Sequence, residues 1–364
     1  MIKYLKQEEK IESRPLWEKV FSEDSQSFVD YYYSDRVRKN KVLTAWKDGR
    51  LTAMLHRNPY EVVVKERLWK TDYIAGVATD PDFRHQGYMR SLLSHCFSDM
   101  YMERMGFCFL VPADPAIYTP FDFTYICDLP QRVLNKKGIS GLNRRALVEE
   151  PVQCRAAAEF AGRQLEKEYE VYALRDEGYY RDLCREVRSD RGDLILLYTK
   201  EEKEQLAGVL AYYGESEQSQ RELICLPGYS MEAGPEKPAA MGRIIHLEQF
   251  VSAICLEESC PAEKMEVVLE VKDDFIHHNC GLFCWILEKD GSRLVRVGDE
   301  TSEAAAESAG ESSGQTVSPP RLSLGIGELT AWLFGRGLPS VPEECKELVT
   351  QIRPLKGVFF DEIT

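Results

Sequence analysis

The four residues Arg84-His85-Gln86-Gly87 are the stretch of this 364-residue chain best equipped for chemistry. They follow a strand-like run, residues 73–79, in which Ile74, Val77 and Ala78 suit burial, and they lead into a helix. Pro81 ends the strand, because proline brings no donor to a ladder. Gly87 lets the backbone approach a ligand closely. The first-turn N–H groups of the helix have no intrahelical partner, and the positive end of the helix dipole lies behind them. With the guanidinium of Arg84 added, the combination suits an anion, specifically a pyrophosphate. The same residue types also make an ordinary capped helix with a surface arginine, since a short glycine motif is a weak signal.

Other residues offer chemistry with a plain structural alternative beside it. Tyr118 stands among Pro112, Pro115 and Pro120, just beyond the apolar run 107–111. A constrained loop there could aim its phenol into a cleft, or the ring could simply pack. Phe28, Tyr31 and Tyr32 could line a cleft or pack a helix on a sheet. His277-His278 with Cys280 and Cys284 fits no zinc spacing, and no metal is expected. The end of the chain reads as an apolar anchor, Phe359-Phe360, then Asp361 and Glu362, then Thr364. Such a segment is commonly a frayed acidic tail.

The elements that must position these groups follow from periodicity. Ile2 and Tyr4 suit a first strand, and two helices follow around 16–21 and 28–32. Residues 42–46 and 51–56 form a hairpin about Asp48-Gly49, and Asn58-Pro59 is expected to break it. Residues 60–65 and 68–78 then pair, so the strand before Arg84 closes an antiparallel meander. The helix after Gly87 carries Met89, Leu92, Leu93, Cys96, Phe97 and Met100 on one face, with Gly106 as its stop. A polar, basic stretch at 129–147 marks a boundary. Beyond it a helix at 151–170, a helix at 179–187 and strands at 194–199 and 205–213 repeat the earlier order without an Arg84-like loop. Gly228 and Pro238 bracket a linker to a third unit. That unit has strands at 265–271, 283–287, 294–297 and 322–326, and a helix within 326–334. Residues 300–320 are too poor in apolar side chains to order themselves and read as a mobile loop.

Bulk properties narrow the function classes. The length calls for two or three domains. A net charge of −14 disfavours nucleic acid. An acidic surface serves solubility and also attracts small cations. The eleven cysteines form no C-x-x-C pair, which suits a reducing cytoplasm. No apolar run reaches the length of a membrane span.

The stretch Gly76-Val77-Ala78-Thr79 followed by Arg84-His85-Gln86-Gly87 resembles the R/Q-x-x-G-x-G/A loop of the GCN5-related N-acetyltransferases (GNAT). Met89 stands at the last family position, a departure shared by the enhanced-intracellular-survival (Eis) branch. Residues 112–123 also resemble that branch's I-Y-x-x-F-G-[FY] motif, with Asp122 in place of its glycine. The third unit is similar in pattern to the branch's sterol-carrier-like domain. The resemblance implies an α+β fold in three domains: an acetyl-CoA-binding GNAT domain (1–138), a degenerate GNAT-like domain (139–239) and a sterol-carrier-like domain (240–364). It implies acetyl-CoA held by Val77, Ala78, Arg84, His85, Gln86, Gly87 and Met89, and transfer of its acetyl group to an amine of a small cationic molecule. Tyr118 becomes the general acid and the terminal carboxylate of Thr364 the general base. It also implies a homo-oligomer. Asp24, Asp72 and Glu362 are the candidate partners for the acceptor amine. The competing expectation is a non-catalytic carrier of CoA or lipid.

Overall fold

The computed structural model describes residues 1–215, 218–298 and 320–362. The stretch 300–319, read from composition as a mobile loop, lies outside these residues, as does Thr364. The chain forms two compact units, one of residues 1–92, 128–240 and 359–364, the other of residues 93–127 and 241–358.

The first unit opens with an antiparallel meander of β1 (Ile2–Tyr4), β2 (Lys41–Lys47), β3 (Arg50–Val64) and β4 (Arg67–Thr79), in that spatial order. Asp48 and Gly49 both take positive φ, as a two-residue hairpin requires. Helices α1 (Arg14–Val20) and α2 (Gln26–Tyr31) cover one face, where Trp17, Val29, Tyr32 and Met54 share a buried cluster. Tyr32 is therefore a packing residue, fully buried.

Asn58-Pro59 does not break the strand as expected; β3 runs through both residues. The pairings explain this. β2 accompanies β3 only as far as Arg57, and the strand Val171–Ala173 takes over at Val62. At Pro59 the strand pairing described for β3 is with β4, through Asp72, and a strand edge tolerates proline's missing donor.

A second four-stranded meander in this unit joins Leu142–Ala146, Asp193–Thr199, Leu206–Tyr213 and Ser219–Cys225, again in chain order. Helices Pro151–Glu168 and Glu177–Ser189 bury Phe160, Leu165, Tyr180 and Val187 against it. The short strand Val358–Phe359, at which the chain enters this unit for the last time, pairs with Val171–Ala173.

In the second unit the fully buried strand Phe107–Leu110 pairs with Met241–Ile244, which also pairs with Thr124–Tyr125. A separate sheet orders Ser292–Arg296, Gly281–Glu288, Lys264–Lys272 and Arg321–Gly325, the last pair parallel. Helix Ile326–Leu333 buries Leu329, Trp332 and Leu333, so these apolar residues serve as core. No described helix is long and apolar enough to cross a membrane.

Candidate active site

The turn after β4 is built around Asp80. Its side chain is almost fully buried and accepts from the Asp82 amide at 3.1 Å, capping the turn Pro81–Phe83. Lys19 Nζ and Arg50 Nη2 each donate to it at 2.8 Å. Burial alone would raise the Asp80 pKa. The Lys19 ammonium, the Asp82 amide and Arg50 outweigh burial and hold it below its ordinary value. So fixed, the chain turns through His85 (φ 61°) and Gly87 (φ 81°) into α3 (Tyr88–Met102), whose first backbone bond runs from the Ser91 amide to the Gly87 carbonyl at 3.0 Å. Among the described residues nothing fills the space that a Cβ on Gly87 would enter, so glycine is called for there by backbone angle.

Among the described residues, the amides of His85, Gln86, Gly87, Tyr88 and Met89 have no hydrogen-bond acceptor. Arg84, His85, Gln86 and Gly87 are exposed, and Met89 is half-buried. The Arg84 guanidinium donates to the Thr79 carbonyl at 3.5 Å. Five consecutive open amides beside a cation at a helix N-terminus form an anion nest.

Upstream, the β3–β4 register slips. Met54 faces Ala78 and His56 faces Ala75, so Gly76 and Val77 together oppose Leu55. Gly76 takes φ +55°, and a Cβ there would run into the Trp17 ring. The bulge withdraws Val77 from regular pairing, and bulges of this kind re-aim backbone groups beside active sites. Beneath it His56 is fully buried among Trp17, Tyr32 and Tyr33, with Nδ1 3.0 Å from the Tyr32 hydroxyl. Burial, helped by the charge of Lys10, pushes its pKa down to about 3, so it is neutral.

In the second unit Tyr118 ends a short helix, Pro115–Tyr118, capped by Asp114, rather than lying on irregular chain. Its ring meets the Phe123 ring edge-on at 5.9 Å, and among the described residues nothing hydrogen-bonds to its hydroxyl. Burial pushes its pKa up to about 12, above the ordinary phenol value of about 10. Asp122, at the family's glycine position, holds φ +61°. Its carboxylate lies 3.5 Å from Arg243, which is fully buried and also bonds Asp273 at 2.6 Å. The expected stop at Gly106 falls earlier. Arg104 takes the left-handed turn, with its amide on the Tyr101 carbonyl and that of Met105 on Met100.

The three candidate carboxylates separate cleanly. Asp72 is buried and held by Arg57 at 2.6 Å, and Glu362 by Arg175 at 2.8 Å. Among the described residues Asp24 has no cation; it accepts from Trp17 Nε1 at 2.8 Å and burial raises its pKa. Sequence reading missed Asp80 and the Arg175 cluster. The signal for the second was present in the acids after Phe359-Phe360, but their partner lies 186 residues away. Among the described residues no group of three or more metal-ligating side chains converges.

Residues 1–126 match the family model of the acetyltransferase (GNAT) domain, and residues 247–351 that of the sterol carrier protein domain. No curated protein matches the chain. Among solved structures, a probable N-acyltransferase of Enterococcus faecalis V583 shares 13% identity over 99% of both chains, with a TM-score of 0.72. A GCN5-related N-acetyltransferase from Kribbella flavida shares 13% over 100% of this chain and 98% of its own, with a TM-score of 0.73. Eis1 of Mycobacterium abscessus shares 12% over 97% and 93%, with a TM-score of 0.61. At those identities the likeness establishes a common fold. The chain thus carries an acetyltransferase domain of the GNAT family at its start and a sterol carrier protein domain toward its end, on a fold it shares with these N-acetyltransferases.

Proposed function

We propose that this protein transfers acetyl from acetyl-CoA to an amine of a small cationic acceptor. The observation that carries the reading is the nest of five open amides at residues 85–89, beside Arg84 and directly after a bulged strand. The GNAT domain supports an acyl-CoA cosubstrate and a small acceptor. In this reading Arg84, His85, Gln86, Gly87 and Met89 hold the diphosphate, Val77 and Ala78 take the pantetheine arm, and the Val77 N–H polarises the thioester carbonyl. Asp24, which among the described residues meets no cation, receives the positive charge of the acceptor.

The transfer balances as follows. The amine nitrogen attacks the thioester carbon, a C–N bond forms and the C–S bond breaks. The terminal carboxylate of Thr364 takes the surplus proton from the amine. Tyr118 gives its phenolic proton to the departing CoA sulfur and regains one from solvent. A pKa near 12 keeps Tyr118 protonated at neutral pH.

The test has two arms. CoA and acetyl-CoA should raise the melting midpoint, since a ligand at a hundred times its Kd adds about 2.7 kcal/mol. Thiol release from acetyl-CoA should then depend on a panel of primary amines, diamines reacting faster than monoamines. A midpoint unmoved by either nucleotide sinks the cofactor assignment. Binding without amine-dependent thiol release would instead mark a carrier.

A further inference from the structure

The first unit contains a second polar centre that the transfer chemistry does not use. Arg175 is fully buried and holds three carboxylates: Glu222 at 3.0 Å, Asp361 at 2.6 Å and Glu362 at 2.8 Å. Its remaining donor capacity goes to the Ala173 carbonyl at 2.9 Å. Arg221, also buried, approaches Asp361 at 3.2 Å. Two of these acids belong to the last described residues of the chain.

Burying charges is costly, and a buried ion network is weak evidence of stability. Its best-attested use is to specify one arrangement. Here there is a register to specify. The last segment joins the sheet by the two-residue strand Val358–Phe359, which leaves register weakly determined, and a slip by one residue would turn every side chain over. A cavity of about 450 Å³ borders Phe359 and Asp361, so packing does not close around the segment on all sides. The arginines supply the discrimination: only one register delivers Asp361 and Glu362 to Arg175. The strand that receives the segment, Val171–Ala173, pairs with β3, and β3 pairs with the bulged β4. The segment thus hangs from the same sheet that carries the cofactor strand.

We propose that Arg175, backed by Arg221, is a positioning residue for acyl transfer: it fixes residues 359–362 in one register and thereby holds the base that follows them. This rests on the reading of Thr364 as the base. Arg175 touches no reacting atom.

The experiment compares the full-length protein with Arg175→Met, Arg175→Lys and the isosteric pair Asp361→Asn with Glu362→Gln. A further variant carries two glycines after Thr364. Three quantities are read: kcat with the fastest amine of the panel, the Kd for CoA, and hydrogen exchange of the amides at 358–362. In Arg175→Met and in the isosteric pair, those amides should exchange at least about tenfold faster, and kcat should fall about a hundredfold, the usual consequence of misplacing a catalytic group by an ångström. CoA affinity should hold, and Arg175→Lys should recover part of kcat. Unchanged exchange at 358–362 overturns the clamp. Faster exchange with undiminished kcat overturns its positioning role, as does a parallel loss of CoA affinity, which would mark general structural damage. Full activity in the glycine-extended variant removes the base itself, and the proposal with it, whatever the arginine variants do.

Discussion

In the first meander the fourth strand, β4, runs into a turn that leaves five amides open; in the second, the fourth strand, Ser219–Cys225, runs into Leu226-Pro227-Gly228. There Pro227 has no donor to offer, and the Tyr229 amide turns back to the Leu226 carbonyl at 3.4 Å. The Leu226 amide bonds the Ala207 carbonyl at 2.8 Å, and Ser230–Glu232 pairs with Arg132–Leu134. Each fourth strand also carries a bulge, near the C-terminal end in β4 and near the N-terminal end in the other, where Arg221 is the extra residue. One bulge releases backbone at Gly76-Val77; the other sends a side chain into the clamp on residues 359–362. The strand order is shared, so the capacity for anion binding lies in what the chain does in the ten residues after the strand.

Acid should separate the two meanders most strongly. His56 sits neutral under the first, with a pKa of about 3 against 6.5 in the unfolded chain. A depressed folded pKa gives stability that is present above pH 6.5 and lost as pH falls toward 3, on the order of 5 kcal/mol at most. Beside the second, burial raises the pKa values of Glu222 and Glu362. Their contribution runs the other way, complete below the ordinary glutamate range and lost as pH rises through the raised values. Hydrogen exchange from pH 7 to pH 4 should show β3 and β4 loosening first, and His56→Gln should flatten that loss.

Tyr118→Phe should lower kcat about a hundredfold or more while leaving the Kd for CoA unchanged, as removal of a general acid does. Because burial pushes Tyr118 to about 12, the alkaline fall in rate owed to it should begin well above pH 10. A fall centred on pH 10 would count against Tyr118 as the acid. Gly76→Ala should destabilise the protein by about 2–3 kcal/mol in a denaturant titration, since both backbone angle and the Trp17 ring oppose a methyl group.

The smallest effect is the sharpest comparison. Gly87 (φ +81°) and Gly228 (φ +88°) each follow a fourth strand, and each faces open space where a Cβ would stand. Alanine at either should cost about 1–2 kcal/mol of stability for the left-handed backbone. Only Gly87→Ala should also weaken CoA binding, measured by calorimetry. An equal loss from Gly228→Ala would dissolve the distinction between the two turns.

Local chemistry was legible in the sequence. The strand, the turn and the helix around residues 73–102 follow from period and from proline, and the hairpin at Asp48-Gly49 from its turn residues. Asp122 in left-handed backbone explains why a glycine suits that motif position. Features set by distant partners were not legible. Pro59 could stay in a strand because β2 stops at Arg57 and another strand takes over at Val62. The proton affinity of Tyr118 reflects packing that its neighbours in sequence do not report. Arg175 lies 186 residues from Asp361 and 187 from Glu362, and neither charge cluster is unusual by itself.

The interleaving of the chain has a consequence for its biosynthesis. The stretch 241–358, all of it in the second unit, must be synthesised before Asp361 and Glu362 exist to meet Arg175. Until then a nascent chain holds a buried-type arginine with only Glu222 to neutralise it, and the sheet of the first unit lacks its final strand. Closing a contact across 187 residues is entropically late and slow. The half that begins the protein is therefore the last to be finished.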